Sequence, residues 1–145
     1  AGDLGIGAEG TFDSLPQFGA LVTNGQEELA ALAYLVTLAW QGANGAAIAA
    51  NGAYLEPELR AVAAAFPRLL EGVAGRGHLL GLRFRELSQG RAFAAAMNAA
   101  GYDISVQTYK STCPPVALCK LPVIAFEALI EAFCRACERA LRGIA

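Results

Sequence analysis

The 145-residue sequence contains no lysine or arginine before Arg60. It has one histidine, one methionine and one tryptophan, and its only lysines are Lys110 and Lys120. These scarcities exclude several kinds of chemistry. A single histidine rules out a histidine-rich metal centre, and a Ser-His-Asp triad would have to use His78. A lone histidine beside a glycine-flanked strand reads as structural. Neither lysine has an activating neighbour in the sequence that would make it a nucleophile. Gly75-Arg76-Gly77 lacks the Lys-Ser/Thr that a phosphate-binding loop needs. No basic segment followed by an apolar stretch opens the chain, so a cytoplasmic location is expected. No apolar run approaches the roughly 20 residues that span a bilayer, so no membrane span is expected. An isoelectric point near 5.4 does not suit a general nucleic-acid binder.

Cysteine is present but does not form a recognisable framework. Cys113 and Cys119 flank a Pro-Pro pair, and Cys134 and Cys137 form a C-x-x-C inside a strongly helical segment. Zinc sites more often use two tight pairs, and a redox C-x-x-C normally opens a helix. Buried helix-face thiols are the expectation, with no metal site.

What the chain does have is apolar mass. It is 55% hydrophobic and 17% charged, with 16 glycines, which excludes disorder. Its charge is split. The first 59 residues carry seven acids and no base, and the rest carry eleven bases against six acids. Such asymmetry suits halves that face different surroundings, or each other.

Residues 1–26 are glycine-rich, with Pro16, Asn24 and Gly25, and read as an extended arm lying on something else. Glu27 and Glu28 then open a helix to about Gln41, its acids matching the helix dipole. Its stretch LAALAYLVTLAW is apolar nearly all round, which predicts burial from several sides. A break at 42–45 precedes a helix over about 46–65, which Asn51-Gly52 and Pro57 could divide or kink. Alternation predicts a strand over 79–87, and Ser88 is the expected N-cap of a helix over 89–100 that stops at Gly101. Alternation returns over 104–109, and 116–121 could add a further strand. Pro122 precedes a terminal helix to about Arg142. The expectation is an α+β fold: a small sheet of three or four strands, helices on one face, preceded by the arm and a long apolar helix.

One constellation is more informative as a set. Gly10-Thr11-Phe12 lies in the arm, a Gly-Arg-Gly-x-Leu-Leu-Gly-Leu stretch runs from Gly75 to Leu82, Cys113-Pro114-Pro115 follows, and a single helix closes the order. This arrangement resembles the C-terminal part of class III, fold-type I aminotransferases that use pyridoxal phosphate (PLP), the ornithine, acetylornithine and γ-aminobutyrate aminotransferases. The resemblance covers nearly the whole chain and implies an arm (1–26), a connecting helix (27–45) and a small domain (46–145). It implies that Thr11 binds the phosphate of a partner subunit's PLP, and that the glycines at 75, 77 and 81 are structural.

The departures are as informative. The family's G-G-N-P reads Asp13-Ser14-Leu15-Pro16. Where the family has a carboxylate-binding arginine, three residues before the paired prolines, this chain has Ser111, preceded by Lys110. Lys110 is therefore the candidate substrate contact, although a lysine is not a bidentate fork. Neither lysine matches the Schiff-base position, and no aspartate partner for the pyridine nitrogen is matched. The resemblance implies a piece of an aminotransferase that moves an amino group from an amine or amino acid to a 2-oxo acid. The chain alone would have no catalytic residue and would bind no PLP. Its partners would be the missing cofactor domain, an identical subunit, or both. The alternative is an aminotransferase-derived binding or assembly module that stands alone, and an unrelated alanine-rich α+β interaction domain remains open beside it.

Overall fold

A computed structural model describes residues 28–107 and 112–145. The chain divides between Ala43 and Asn44, and the two parts are taken in turn.

The first part contains helix α1 (Glu28–Ala43). Glu28 sits in its first turn, and Ala and Leu dominate its body, so both dipole and propensity favour it. The expected burial is not found. No residue of α1 is buried, and Leu29 and Tyr34 remain 72% and 71% exposed. Its apolar side chains spread round the whole circumference, so no single stripe directs it onto one neighbour.

The second part begins with helix α2 (Gly45–Ala65), separated from α1 by the single non-helical residue Asn44. Asn51-Gly52 does not divide α2, and Pro57 lies inside it. Gly52 is buried where the His78 ring lies against it. Asn51 Nδ2 donates to the carbonyl of Ala125, tying α2 to the segment before the last helix. Strands β1 (Leu70–Arg76), β2 (Leu79–Phe84) and β3 (Val116–Cys119) form an antiparallel sheet in that order. Helix α3 (Leu87–Ala99) follows β2, and α4 (Glu127–Arg142) follows β3.

The core lies between the sheet and α2, α3 and α4. Leu80, Leu82 and Phe84 alternate inward from β2, Ala117 and Cys119 inward from β3. They meet Leu55 and Leu59 of α2, Phe93 and Met97 of α3, and Ile130, Phe133 and Leu141 of α4. Phe84 and Phe93 pack with ring centroids 5.3 Å apart. The opposite face of the sheet carries Leu79 and Leu118, which stay 59% and 41% exposed. The fold is therefore α+β with helices on one face of a three-stranded sheet.

Several local expectations are corrected. Strand β1 is not anticipated by alternation, because Gly72 and Gly75 interrupt its pattern. It forms by pairing with β2 from Leu70↔Phe84 to Arg76↔Leu79, with a bulge between Leu70 and Gly72. Strand β2 stops at Phe84, not 87. The N-cap of α3 is Glu86, whose backbone N–H donates to Gln89 Oε1 at 3.2 Å, and Ser88 lies inside the helix. Among the described residues, 104–107 form one bridge, Val106↔Ala117, in place of a strand. Strand β3 has only four residues, and Pro114 and Pro115 before it offer no N–H.

The outer edge of β1 is covered. Arg60 of α2 donates from Nη1 to the Val73 carbonyl at 3.3 Å and from Nη2 to that of Gly75 at 3.5 Å. Glu56 holds it through Nη2 at 2.8 Å and Nε at 3.2 Å, and also accepts from the Gly77 N–H at 3.1 Å. A guanidinium at these carbonyls blocks strand addition there. These contacts hold the Glu56 carboxyl below its ordinary range, the Arg60 hydrogen bond first and the Gly77 N–H second.

Candidate functional site

The two residues that the resemblance singles out, Thr11 and Lys110, both lie outside the described residues. The described residues on either side of Lys110 are bonded to the sheet. Gln107 N–H donates to the Val116 carbonyl at 3.0 Å, and Leu118 N–H donates to Ser105 at 3.4 Å. Phe84 N–H donates to the Pro115 carbonyl at 2.8 Å. Gln107 and Val116 thus meet at one end of the sheet, where β2 finishes and β3 starts. The prolines fit this junction, since the bond made there needs a carbonyl and no N–H.

Arg83 occupies the same end. It lies directly opposite Val116 in the β2–β3 register, on the face away from α2, α3 and α4. Its Nη2 pairs with Glu71 Oε2 across β1 and β2 at 2.9 Å, both side chains about two-fifths exposed, at 44% and 38%. An ion pair this open contributes little to stability, about 0–1 kcal/mol. It does fix where the guanidinium points. The contact is single, and among the described residues Nε and Nη1 of Arg83 meet no acceptor. Arg85 is engaged differently: its Nε donates to the Pro67 carbonyl at 2.9 Å. No pattern in the sequence marks the Arg83–Glu71 pair, because β1 shows no alternation of its own.

His78 is a fastening. One ring nitrogen, Nε2, lies 2.8 Å from the Ile48 carbonyl. A carbonyl only accepts, so Nε2 carries the proton. Nδ1 is buried and has no partner among the described residues. The ring therefore pins the β1–β2 turn to α2, and its unpartnered nitrogen, Nδ1, is buried away from solvent. Lys120 lines a cleft of about 210 Å³ with Tyr102, Asp103 and Phe133.

Cys119, Cys134 and Cys137 are buried, and Cys113 is exposed. Burial pushes the Cys134 thiol up to about 12. A hydrogen bond with Cys119, then burial, pushes Cys137 far up. Such thiols are poor nucleophiles and poor metal ligands. Among the described residues, no group of three or more His, Cys, Asp or Glu is placed to hold a metal. No helix among them is long and apolar enough to cross a membrane. Lys120 is the one lysine among the described residues, and it lines the cleft beside Asp103.

The architecture defined by this sheet and its helices is one found in transaminases. No protein-family model matches the chain, and no curated protein matches it. Among solved structures, a transaminase from a directed-evolution series built by ancestral reconstruction superposes with a TM-score of 0.65 at 24% identity. That match covers 79% of this chain and 26% of the transaminase. Lysine aminotransferase from M. tuberculosis, solved in its internal aldimine form, superposes with a TM-score of 0.58 at 18% identity. It covers 68% of this chain and 21% of the aminotransferase. At these identities the likeness establishes the fold, and it fits the resemblance to the C-terminal part of a PLP-dependent aminotransferase. The chain spans about a fifth to a quarter of the solved chains it matches.

Proposed function

We propose that this chain is the C-terminal part of a PLP-dependent aminotransferase that passes an amino group from an amine or amino acid to a 2-oxo acid. The observation that carries the reading is the superposition, which takes in 67–79% of this chain but only 21–26% of each transaminase. A second feature supports it. Helix α1 buries no residue, and the helix-free face of the sheet leaves Leu79 and Leu118 exposed. Apolar surface of this kind is expected to meet other protein. We assign that cover to a cofactor domain, to an identical subunit, or to both, in a homo-oligomeric cytoplasmic enzyme.

The cofactor, when bound by the whole enzyme, supplies the electron sink for amino transfer. The residues of this chain supply binding. Thr11 would donate to the phosphate of a partner subunit's PLP, where oxygens accept strongly. Lys110 would place a positive charge near the substrate from a loop anchored at Gln107 and Val116. The chain alone would bind no PLP and catalyse nothing.

The test is the natural gene product isolated from its source. A subunit several times larger than 15.0 kDa, with near-visible absorbance that shifts on adding an amine, is the expected result. A 15.0 kDa subunit without that absorbance would overturn the enzyme reading and leave an assembly module.

A further inference from the structure

We infer that the cleft between the segment after α3, the end of β3 and helix α4 binds a free α-amino acid as its zwitterion. The inference goes beyond the aminotransferase reading and does not rest on it. The cleft encloses about 210 Å³, and its lining includes Tyr102, Asp103, Ile104, Lys120, Leu121 and Phe133. Drug-sized ligands occupy roughly 300–1,000 Å³, so the cleft suits a smaller molecule.

Its chemistry selects the class. Ile104, Leu121 and Phe133 are buried and give the cleft an apolar floor. Asp103 and Lys120 are exposed at its rim. They carry opposite charges and line one cleft, yet they form no ion pair, and neither side chain makes a hydrogen bond among the described residues. The Tyr102 hydroxyl likewise meets no partner among them. Paired, the two charges would close the cleft. Unpaired, they leave a gap that a molecule bearing both charges can bridge. An α-amino acid does so with its carboxylate on Lys120, its ammonium on Asp103 and its side chain towards Phe133. A simple carboxylate or a simple amine would leave one rim charge unanswered.

The walls are fixed before any ligand arrives. Gly101 turns the chain with φ +88°. The Tyr102 N–H then donates to the Met97 carbonyl at 2.9 Å, and Asn98 Nδ2 donates to the Ile104 carbonyl at 2.7 Å. Asp103 therefore stands between two anchored residues. The Tyr102 ring meets Phe133 edge-on, with centroids 5.5 Å apart. The Leu118 N–H donates to the Ser105 carbonyl at 3.4 Å and ties the wall bearing Asp103 to the wall bearing Lys120. Walls held in this way cut the ordering cost of binding.

The experiment uses the full-length natural protein and its K120Q, D103N and R91Q variants. Arg91 is exposed on α3 and does not line the cleft. Ligand-observed NMR titration gives the Kd of three probes: L-valine, N-acetyl-L-valine, which lacks the ammonium, and L-valinamide, which lacks the carboxylate. The parent should bind valine with a Kd of about 1 mM or tighter and each analogue about tenfold more weakly. K120Q should bind valine about tenfold more weakly and no better than valinamide, because its carboxylate no longer counts. D103N should bind valine no better than N-acetylvaline, because its ammonium no longer counts. R91Q should match the parent, and circular dichroism should be unchanged in all three variants, since each altered residue is exposed. No saturable binding of valine by the parent up to about 10 mM would overturn the inference. So would valine binding that survives both K120Q and D103N, which would place it elsewhere in the protein. A loss that falls equally on valine and both analogues in either variant would also overturn it, since the two charges would then not be read separately.

Discussion

Replacing Gly75 with alanine should be among the most damaging single-methyl additions in the chain. Two separate penalties act there. Gly75 has φ +92°, a conformation that side-chain-bearing residues adopt at a cost of about 1–3 kcal/mol. A Cβ at this position would also overlap the backbone carbonyl of Leu79, which cannot rotate aside because it belongs to the paired β1–β2 ladder. Overpacking of this kind costs about 1–3 kcal/mol. Together the penalties reach about 2–6 kcal/mol, a large part of the roughly 5–15 kcal/mol that holds a domain together. Gly77 provides the internal control. Its φ is +56°, and a Cβ there would meet no atom within 4 Å, so only a penalty of about 1 kcal/mol remains. Urea unfolding followed by far-ultraviolet circular dichroism measures both. With an m-value of about 1–1.5 kcal/mol/M, G75A should lower the midpoint by more than about 1.3 M and G77A by less than about 1 M. Equal midpoints for the two variants would refute the steric account and leave glycine at 75 a matter of conformation alone.

Other outcomes follow from the same structure. Leu82→Ala empties a fully buried site on the central strand and should destabilise by about 2–5 kcal/mol, read by the same urea series. Of the four thiols, only Cys113 should react rapidly with a disulfide reagent in the native protein, the other three reacting once urea unfolds it; fast reaction of Cys137 would contradict its burial. Glu56 has a lowered folded pKa, so its contribution is present above its unfolded pKa and is lost as pH falls through the folded one. Glu56→Gln should therefore flatten the acid limb of the stability–pH curve, and an unchanged limb would count against the Arg60 and Gly77 contacts. Arg60→Ala should uncover the Val73 and Gly75 carbonyls and raise self-association in light scattering, without a large loss of helix signal.

The helices were legible in the sequence because their signals are local. Alanine-rich runs, Glu28 in a first turn, and Arg139 and Arg142 in a last turn need no knowledge of partners. Strand β2 was legible for the same reason, with Leu80, Leu82 and Phe84 alternating. Strand β1 was not, since Leu-Glu-Gly-Val-Ala-Gly-Arg has no period of its own and takes its form from β2. The described part of the alternating segment, 104–107, shows the reverse. Its alternation is genuine and Ile104 is buried, yet β3 is too short to give it a ladder. The candidate site follows this pattern. Thr11 and Lys110 could be named from motifs, whereas Arg83 and Glu71 are twelve residues apart and meet only across the bulged hairpin.

The clasp between α2 and α4 also bears on how the chain is made. Tyr54 donates to Glu131 across 77 residues, and Asn51 reaches Ala125 across 74. Leu55, Leu59 and Val62 of α2 complete their burial only with α4 in place, and α4 is the last element in chain order. At about 5–20 residues per second, a ribosome needs several seconds to travel from one partner to the other. During that interval α2 is a nascent helix with an unsatisfied apolar stripe. Chaperone capture during translation should therefore peak after α2 emerges and fall once α4 clears the exit tunnel.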